Sequence, residues 1–278
     1  VAVVTDSTAD LPHHLAESLG LRVVPLSVTF SDTSYISGVT LQPTEFYDKL
    51  ASMPRMPTTS QPSPAWFEEA YADCADDGHR AIVSVHCSAA LSGTVSLARD
   101  RAASAELDVE VVDSRLVGGS LGLAALAAHR VAERGGSVVE VVAAATDVRE
   151  RSIGLLVVDT LEHLRRGGRL TGAQALVGSA LKVKPLLHLT EGRVEVREKT
   201  RTWKRAMDRC VQLVAEVAAG GPVDVVVVHA LAPERADELW ERLDERVEIA
   251  ERLQALIGPI VGTHVGPGAI GVAAMPSS

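Results

Sequence analysis

Aromatic side chains are scarce in this sequence, with three Trp, three Tyr and three Phe among 278 residues. Any internal cavity must therefore be lined by Leu, Val, Ile and Ala rather than by stacked rings. Cysteine is equally sparse. Cys74, Cys87 and Cys210 are odd in number and show no CxxC or CxxH spacing, so neither a disulfide framework nor a metal site is signalled, and buried free thiols are expected. Long apolar runs are missing too: stretches such as Val223 to Val228, broken by Asp224, fall far short of the roughly 20 residues that span a bilayer. No integral membrane contact is expected. Basic residues number 27 against 36 acidic ones, a formal charge of −9, the wrong sign for a surface that tracks nucleic-acid phosphates. Nucleic acid is thus not an expected partner, and any anion site must be local. The opening VAVVTDSTAD has neither a basic leader region nor a cleavage motif and reads as a strand entering a loop, with cytoplasmic residence as the expectation.

What the sequence does hold is ample apolar material. Hydrophobic residues make up 46 % and charged residues 23 %, which suits packed cores. At about 150 residues per domain, the length points to two domains. Val1 to Thr5 has the β-branched character of a buried parallel strand, followed by Asp10 as an N-cap and a helix from Leu11 closed by Gly20. A second strand is expected over Leu21 to Phe30. Further strands at Arg80 to Val85, Val109 to Val112 and Gly154 to Val158 alternate with helices at Thr44–Leu50, Ser63–Ala75, Leu91–Ala103, Ser120–Arg134 and Ser137–Glu150. This alternation predicts a parallel sheet flanked by helices over residues 1–155. Over residues 156–278 the pattern changes. Lys182 to Thr190 and Arg193 to Thr200 read as a hairpin turned at Glu191-Gly192, followed by a helix near Thr202–Ala219, a strand at Val223–His229, a helix near Pro233–Arg246 and a last strand at Ala269–Ala274. The fold class is α/β with two domains, the second a mixed-sheet α+β unit, and a ligand cleft is expected at their junction. With no heptad pattern, a monomer is the default.

Three strings gather groups that can do chemistry. Gly266-Pro267-Gly268-Ala269-Ile270-Gly271 matches GxGxxG, yet too few residues follow it for the helix and second strand of a dinucleotide site. These glycines instead predict close backbone approach, with His264 presenting its ring to the same place; alone, His264 would read as structural. Thr58, Thr59, Ser60 and Gln61 collect donors in a loop fenced by Pro57 and Pro62. Capping of the next helix explains Ser63 but not that succession. Ser92, Gly93 and Thr94 stand where a strand passes into a helix, a position lining the crevice of an open α/β sheet and suited to a carboxylate or phosphate, although helix capping is the plainer role for that string alone.

Other chemistries are open at this point. Ser92 and His264, oriented by Asp6 or Asp113, would make a serine hydrolase of small molecules, against which stands the lack of a GxSxG elbow. A regulatory DNA-binding protein is disfavoured by acidity and by the lack of a helix-turn-helix. His86-Cys87 in a strand would point to opposite faces, which argues against a metal. Charge is strongly segregated: Arg165 to Arg205 carries eleven basic and three acidic residues, a local +8 that leaves −17 elsewhere. The excess around Arg165, Arg166, Arg169, Lys182, Lys184 and Arg201 points to a recognised anion or an acidic partner.

Taken in order, Thr5-Asp6-Ser7-Thr8-Ala9-Asp10-Leu11, Thr58-Thr59-Ser60-Gln61-Pro62, Leu91-Ser92-Gly93-Thr94, Val112-Asp113-Ser114, Gly167-Gly168-Arg169, Lys184-Pro185 and the His264 to Gly271 segment closely resemble the DegV family of bacterial proteins over essentially the whole chain. The resemblance implies two α/β domains with a fatty acid buried at and beside their junction. It implies a lipid-binding component of a fatty acid kinase, in phospholipid metabolism, with no cofactor beyond the bound lipid. Thr59 and Ser92 match the positions that bond the fatty-acid carboxyl group, with Ser60, Gly93, Thr94, Arg201 and His264 near that headgroup. Many relatives carry Ser-Ser-Gly where this chain reads Ser88-Ala89-Ala90. The expected activity is therefore not enzymatic in itself: a separate kinase would convert the presented carboxyl to an acyl phosphate, consistent with the absence of GxxxxGK[ST]. Arg165, Arg166 and Arg169 are the expected docking residues for that kinase.

Overall fold

A computed structural model describes residues 1–53, 55–170 and 183–277 of the chain. Its first unit is a parallel four-stranded sheet in the order β2-β1-β6-β7, formed by β1 (Ala2–Asp6), β2 (Arg22–Val24), β6 (Ala81–His86) and β7 (Asp108–Asp113). Alternation along β1 sends Ala2 and Val4 to one face and Val3 to the other. Helices α3 (Pro64–Asp76) and α4 (Thr94–Ala102) cover the first face, burying Phe67, Tyr71 and Ala98 there. Against the opposite face lie α5 (Gly119–Glu133) and α6 (Val138–Arg151). Helix α6 opens with a capping box in which Ser137 and Glu140 satisfy each other's backbone N–H.

The second unit is a six-stranded mixed sheet, β10-β9-β8-β13-β11-β12. Its strands are β8 (Ile153–Val157), β9 (Lys184–Thr190), β10 (Arg193–Thr200), β11 (Val223–His229), β12 (Ile249–Leu256) and β13 (Ile270–Pro276). All neighbours run antiparallel except β11 and β12. The β9–β10 hairpin turns at Glu191 (φ 49°) and Gly192 (φ 75°), two left-handed residues that match the twist of the flanking strands. Helices α8 (Trp203–Val217) and α9 (Pro233–Asp244) pack on one face of this sheet. The division expected at residue 155 falls inside β8, whose five residues all belong to the second sheet. Lys182, the expected start of the hairpin and a member of the basic cluster, lies outside the described residues.

Helix α5 joins the two units. It contacts β1 and β6 of the first sheet and β8, β11 and β13 of the second. Residues Gly119 to Ala125 are all buried, as is Ala128, as expected of a helix enclosed on every side. Small residues permit this: a Cβ on Gly122 would stand 2.9 Å from the Ala9 carbonyl oxygen, and one on Gly119 would stand 3.0 Å from Val226.

Two expectations for the N-terminal region are corrected. Leu21 to Phe30 is not one strand, because Pro25 interrupts it: β2 joins the parallel sheet, while β3 (Ser27–Phe30) joins a separate antiparallel sheet with β4 (Thr33–Ile36) and β5 (Thr58–Ser60), in the order β4-β3-β5. Asp10 does not cap a helix. Asp6 caps a single 3-10 turn at Ser7–Ala9 by accepting from Thr8 N, Asp10 ends that turn at φ 51°, and α1 (His13–Ser18) starts only after Pro12.

Candidate functional site

A cavity of about 250 Å³ opens between the units, and three separate segments supply most of its polar end. Strand β5 brings Thr59 and Ser60, with Gln61 just after it; its register against β3 sets Thr59 opposite Val28. The turn before α4 brings Ser92 and Gly93. Both Leu91 N and Ser92 N bond to Ser88 O, at 2.9 and 3.1 Å, so α4 itself starts at Thr94 rather than at Leu91. Gly93 lets the Gln61 side chain lie close, since a Cβ there would meet its amide and push it aside. Third comes α10 (Pro259–Val265), which carries His264. Its first turn is fixed at Gly258, whose N–H donates to Asp10 Oδ1 at 2.9 Å, while Tyr47 Oη on α2 (Pro43–Ser52) donates to Ile257 O at 3.0 Å.

Two of the expected headgroup residues meet directly: Thr59 Oγ1 and His264 Nε2 stand 3.0 Å apart. The imidazole lies against Gly167, where a Cβ would collide with Nδ1, and Nδ1 is buried without a hydrogen-bond partner among the described residues. Burial, then the positive Arg169, then His163 push the His264 pKa down to about 4, so the ring is neutral near pH 7. Thr94 is fully buried outside the wall, 2.8 Å from Ser92 Oγ, and acts as a support for that hydroxyl.

The basic residues separate. Arg169 lines the cavity, with Nη1 donating to Gly167 O at 2.7 Å and Nε to Leu91 O at 3.3 Å; its expected place on a docking surface is therefore corrected. Arg165 and Arg166 remain exposed on α7 (Glu162–Gly167), both paired with Glu162. Arg201 is exposed between β10 and α8 and forms no part of the cavity wall, so the structure does not bring it to the headgroup residues. Lys184 and Arg235 donate to Asp159, with Trp203 Nε1 donating at 3.1 Å.

The hydrolase constellation is not assembled. Ser92 Oγ bonds to Thr94, and Asp6 belongs to His86, which lies 3.1 Å away in a fully buried chain that continues through Ser84 to Tyr71. Burial raises the Asp6 carboxyl, but bonds from His86, Thr8 and Cys87 N outweigh it and hold the group below the usual carboxylate range. Asp113 accepts from the backbone N–H of Ala89 and Arg115. The GxGxxG string leads straight into β13, and its glycines serve close approach: at Gly266 (φ 75°) a Cβ would strike His163, and at Gly268 (φ 79°) it would strike Asp159.

Sequence reasoning missed a second chamber of about 70 Å³ lying deeper between the sheets. Val117, Leu156, Val194 and Val261 line both chambers. The deeper one is walled largely by aliphatic groups and by Gly118, Gly119, Gly154 and Gly271, with Asp10 and Ser120 among its few polar neighbours.

Fold and site together define a two-unit α/β protein with an apolar interior that leads to a cluster of hydroxyls, a neutral imidazole and one guanidinium. The DegV family model matches residues 1–277, and the chain belongs to that family. It is 44 % identical over 273 residues to a DegV domain-containing protein of Streptomyces coelicolor, covering 98 % of this chain and 97 % of the relative. Among solved structures, a DegV family protein from Thermus thermophilus, described as fatty acid binding, superimposes with a TM-score of 0.92 at 35 % identity, covering 99 % of both chains. DegV of Bacillus subtilis, described as a fatty acid binding protein, gives 0.89 at 33 % identity, again with 99 % coverage of both.

Proposed function

We propose that this protein binds a long-chain fatty acid, with the carboxyl group at Thr59 and Ser92 and the acyl chain running past Val117, Leu156, Val194 and Val261 into the deeper chamber. The observation that carries this reading is the polarity gradient along two adjoining cavities: donors at one end, aliphatic wall beyond. The fatty-acid-binding descriptions of similar structures support it.

Energetics assign different tasks to the two ends. Burying roughly 14 methylenes at about 0.8 kcal/mol each supplies on the order of 11 kcal/mol before ordering costs. A headgroup hydrogen bond nets only about 0.5 to 1.5 kcal/mol, so Thr59 and Ser92 fix register and orientation while the tail sets affinity. The histidine tautomer follows from hydrogen-bond accounting. A proton on Nδ1 would be a buried donor without an acceptor among the described residues, so the proton is assigned to Nε2 and given to Thr59 Oγ1. That leaves the Thr59 hydroxyl proton free for the carboxylate. Arg169 supplies the positive charge that makes an anion welcome at this end.

The protein then acts as a carrier: a separate kinase binds ATP and phosphorylates the presented carboxyl group, and Arg165 and Arg166 on α7 contribute to docking it. Native mass spectrometry of gently purified protein, followed by lipid extraction, tests the first step, with about one fatty acid per chain as the expected result. Thr59→Ala and Ser92→Ala should impair kinase-dependent phosphorylation more than lipid retention. Normal phosphorylation by both variants would overturn the headgroup assignment.

A further inference from the structure

Asp10 is a buried acid that the carrier reading leaves without a task. It is 7 % exposed, and only one of its oxygens is used, Oδ1 accepting from Gly258 N; Oδ2 is buried with no partner among the described residues. The residue lines the deeper chamber, and Oδ2 lies 3.6 Å from where a Cβ on Gly118 would stand. Gly118 is the N-cap of α5, a helix of 15 residues whose first-turn N–H groups, on Gly119, Ser120 and Leu121, have no acceptor within the helix. Ser120 also lines the chamber, and its Oγ fills the space that a side chain on Gly154 would need. A chamber walled mostly by aliphatic groups, with His188 also on its lining, thus carries a carboxyl oxygen without a partner among the described residues, a hydroxyl and the start of a long helix.

Resting on the fatty-acid reading, we infer that the deeper chamber is a second polar subsite, formed by Asp10, Ser120 and the α5 N-terminus, that accepts a hydroxyl group on the distal half of an acyl chain. The ligand class is then a monohydroxy fatty acid, held at both ends. A hydroxyl suits this lining because it both donates and accepts: it can accept the proton of Asp10 Oδ2–H and give its own to Ser120 Oγ. Burial, opposed only in part by the Gly258 bond, pushes the Asp10 carboxyl up to about 8, so near pH 7 it is a neutral acid that repels no oxygen lone pair.

The test is competition binding of the intact protein with hexadecanoic acid and a panel of its monohydroxy positional isomers. A hydroxyl buried without partners weakens binding roughly tenfold or more. The expected result is that at least one isomer with a distal hydroxyl binds as tightly as the plain acid or more tightly. Ser120→Ala and Asp10→Gly, the latter tolerant of the left-handed backbone at this position, should each lower the ratio of hydroxy-acid to plain-acid affinity about tenfold. Should every distal isomer bind tenfold more weakly than the plain acid, this subsite falls while the carrier reading stands. Failure of the plain acid to bind as well would remove both.

Discussion

The two ends of the interior are built on opposite plans. At the outer end, the polar groups come from four segments distant in sequence, held by side-chain hydrogen bonds: Thr59 with His264, Ser92 with Thr94, Arg169 with two carbonyl oxygens. At the inner end, backbone does the shaping, through glycines on α5, β8 and β13 that keep the space narrow and smooth. Each end also holds one titratable group that burial drives toward neutrality, but from opposite sides: the acid Asp10 is pushed up to about 8 and the base His264 down to about 4. An orienting end can be assembled from loops, whereas an end that supplies affinity requires close packing.

This contrast can be broken at several points. The largest effect concerns Asp10. Its folded-state pKa lies above the ordinary carboxylate value, so its contribution to stability is fully present in acid, below the unfolded value, and is lost as pH rises through about 8. The full swing is on the order of 5 kcal/mol. Asp10→Asn keeps an acceptor for Gly258 N and should flatten that decline in urea unfolding followed from pH 5 to 9; an unaltered slope would show that the carboxyl ionises freely.

His264 should show the mirror image. Its folded pKa is depressed, so the stability it contributes is present above about 6.5 and is lost as pH falls through about 4, a swing of about 3 kcal/mol. His264→Gln should resist acid unfolding better than the parent protein over that window. Equal acid sensitivity of the two proteins would remove the neutral-imidazole argument.

Next comes the passage between the chambers. Val261→Trp should obstruct it, denying the tail about four methylenes at about 0.8 kcal/mol each and weakening long-chain binding by a hundredfold or more, while short chains are spared. Fatty-acid displacement titrations across chain lengths measure this, and a uniform loss at all lengths would mean that the deeper chamber takes no tail. Thr59→Ala or Ser92→Ala should cost affinity only about tenfold in the same titration. The smallest effect is expected from charge reversal at Arg165 and Arg166, a few-fold slowing of kinase turnover confined to low salt, because Glu162 already pairs with both. Identical rates at low salt would detach α7 from docking.

Sequence periodicity exposed the elements that bury a regular face, and it exposed the hairpin because Glu191-Gly192 has the residue types its turn demands. It did not expose β5, where Thr58–Ser60 shows neither a buried side nor strand length and is held by pairing with β3. Strand β12 was missed for a similar reason: as an edge strand with polar Glu251, Arg252 and Gln254, it shows no alternating apolar pattern. Within the site, Thr59, Ser92 and His264 stood out because runs of hydroxyls and glycines are hard to explain by packing alone. Arg169 was read with Arg165 and Arg166 as a docking charge, since only the path of the chain through Gly167 and Gly168 turns it inward. Asp10 resembled a helix cap because αL acids and N-caps share the same residue types and the same neighbouring turns.

The burial of α5 on all sides also governs how cargo can be exchanged. A helix whose N-terminal half is wedged between both sheets keeps the halves of the molecule from swinging apart like jaws. On the proposed reading a guest threads past the short α10 instead, whose start is held by Asp10 and Tyr47 through Gly258 and Ile257. On that reading release waits on local loosening of that segment, and a lipid-loaded form should survive dilution and chromatography with its passenger aboard.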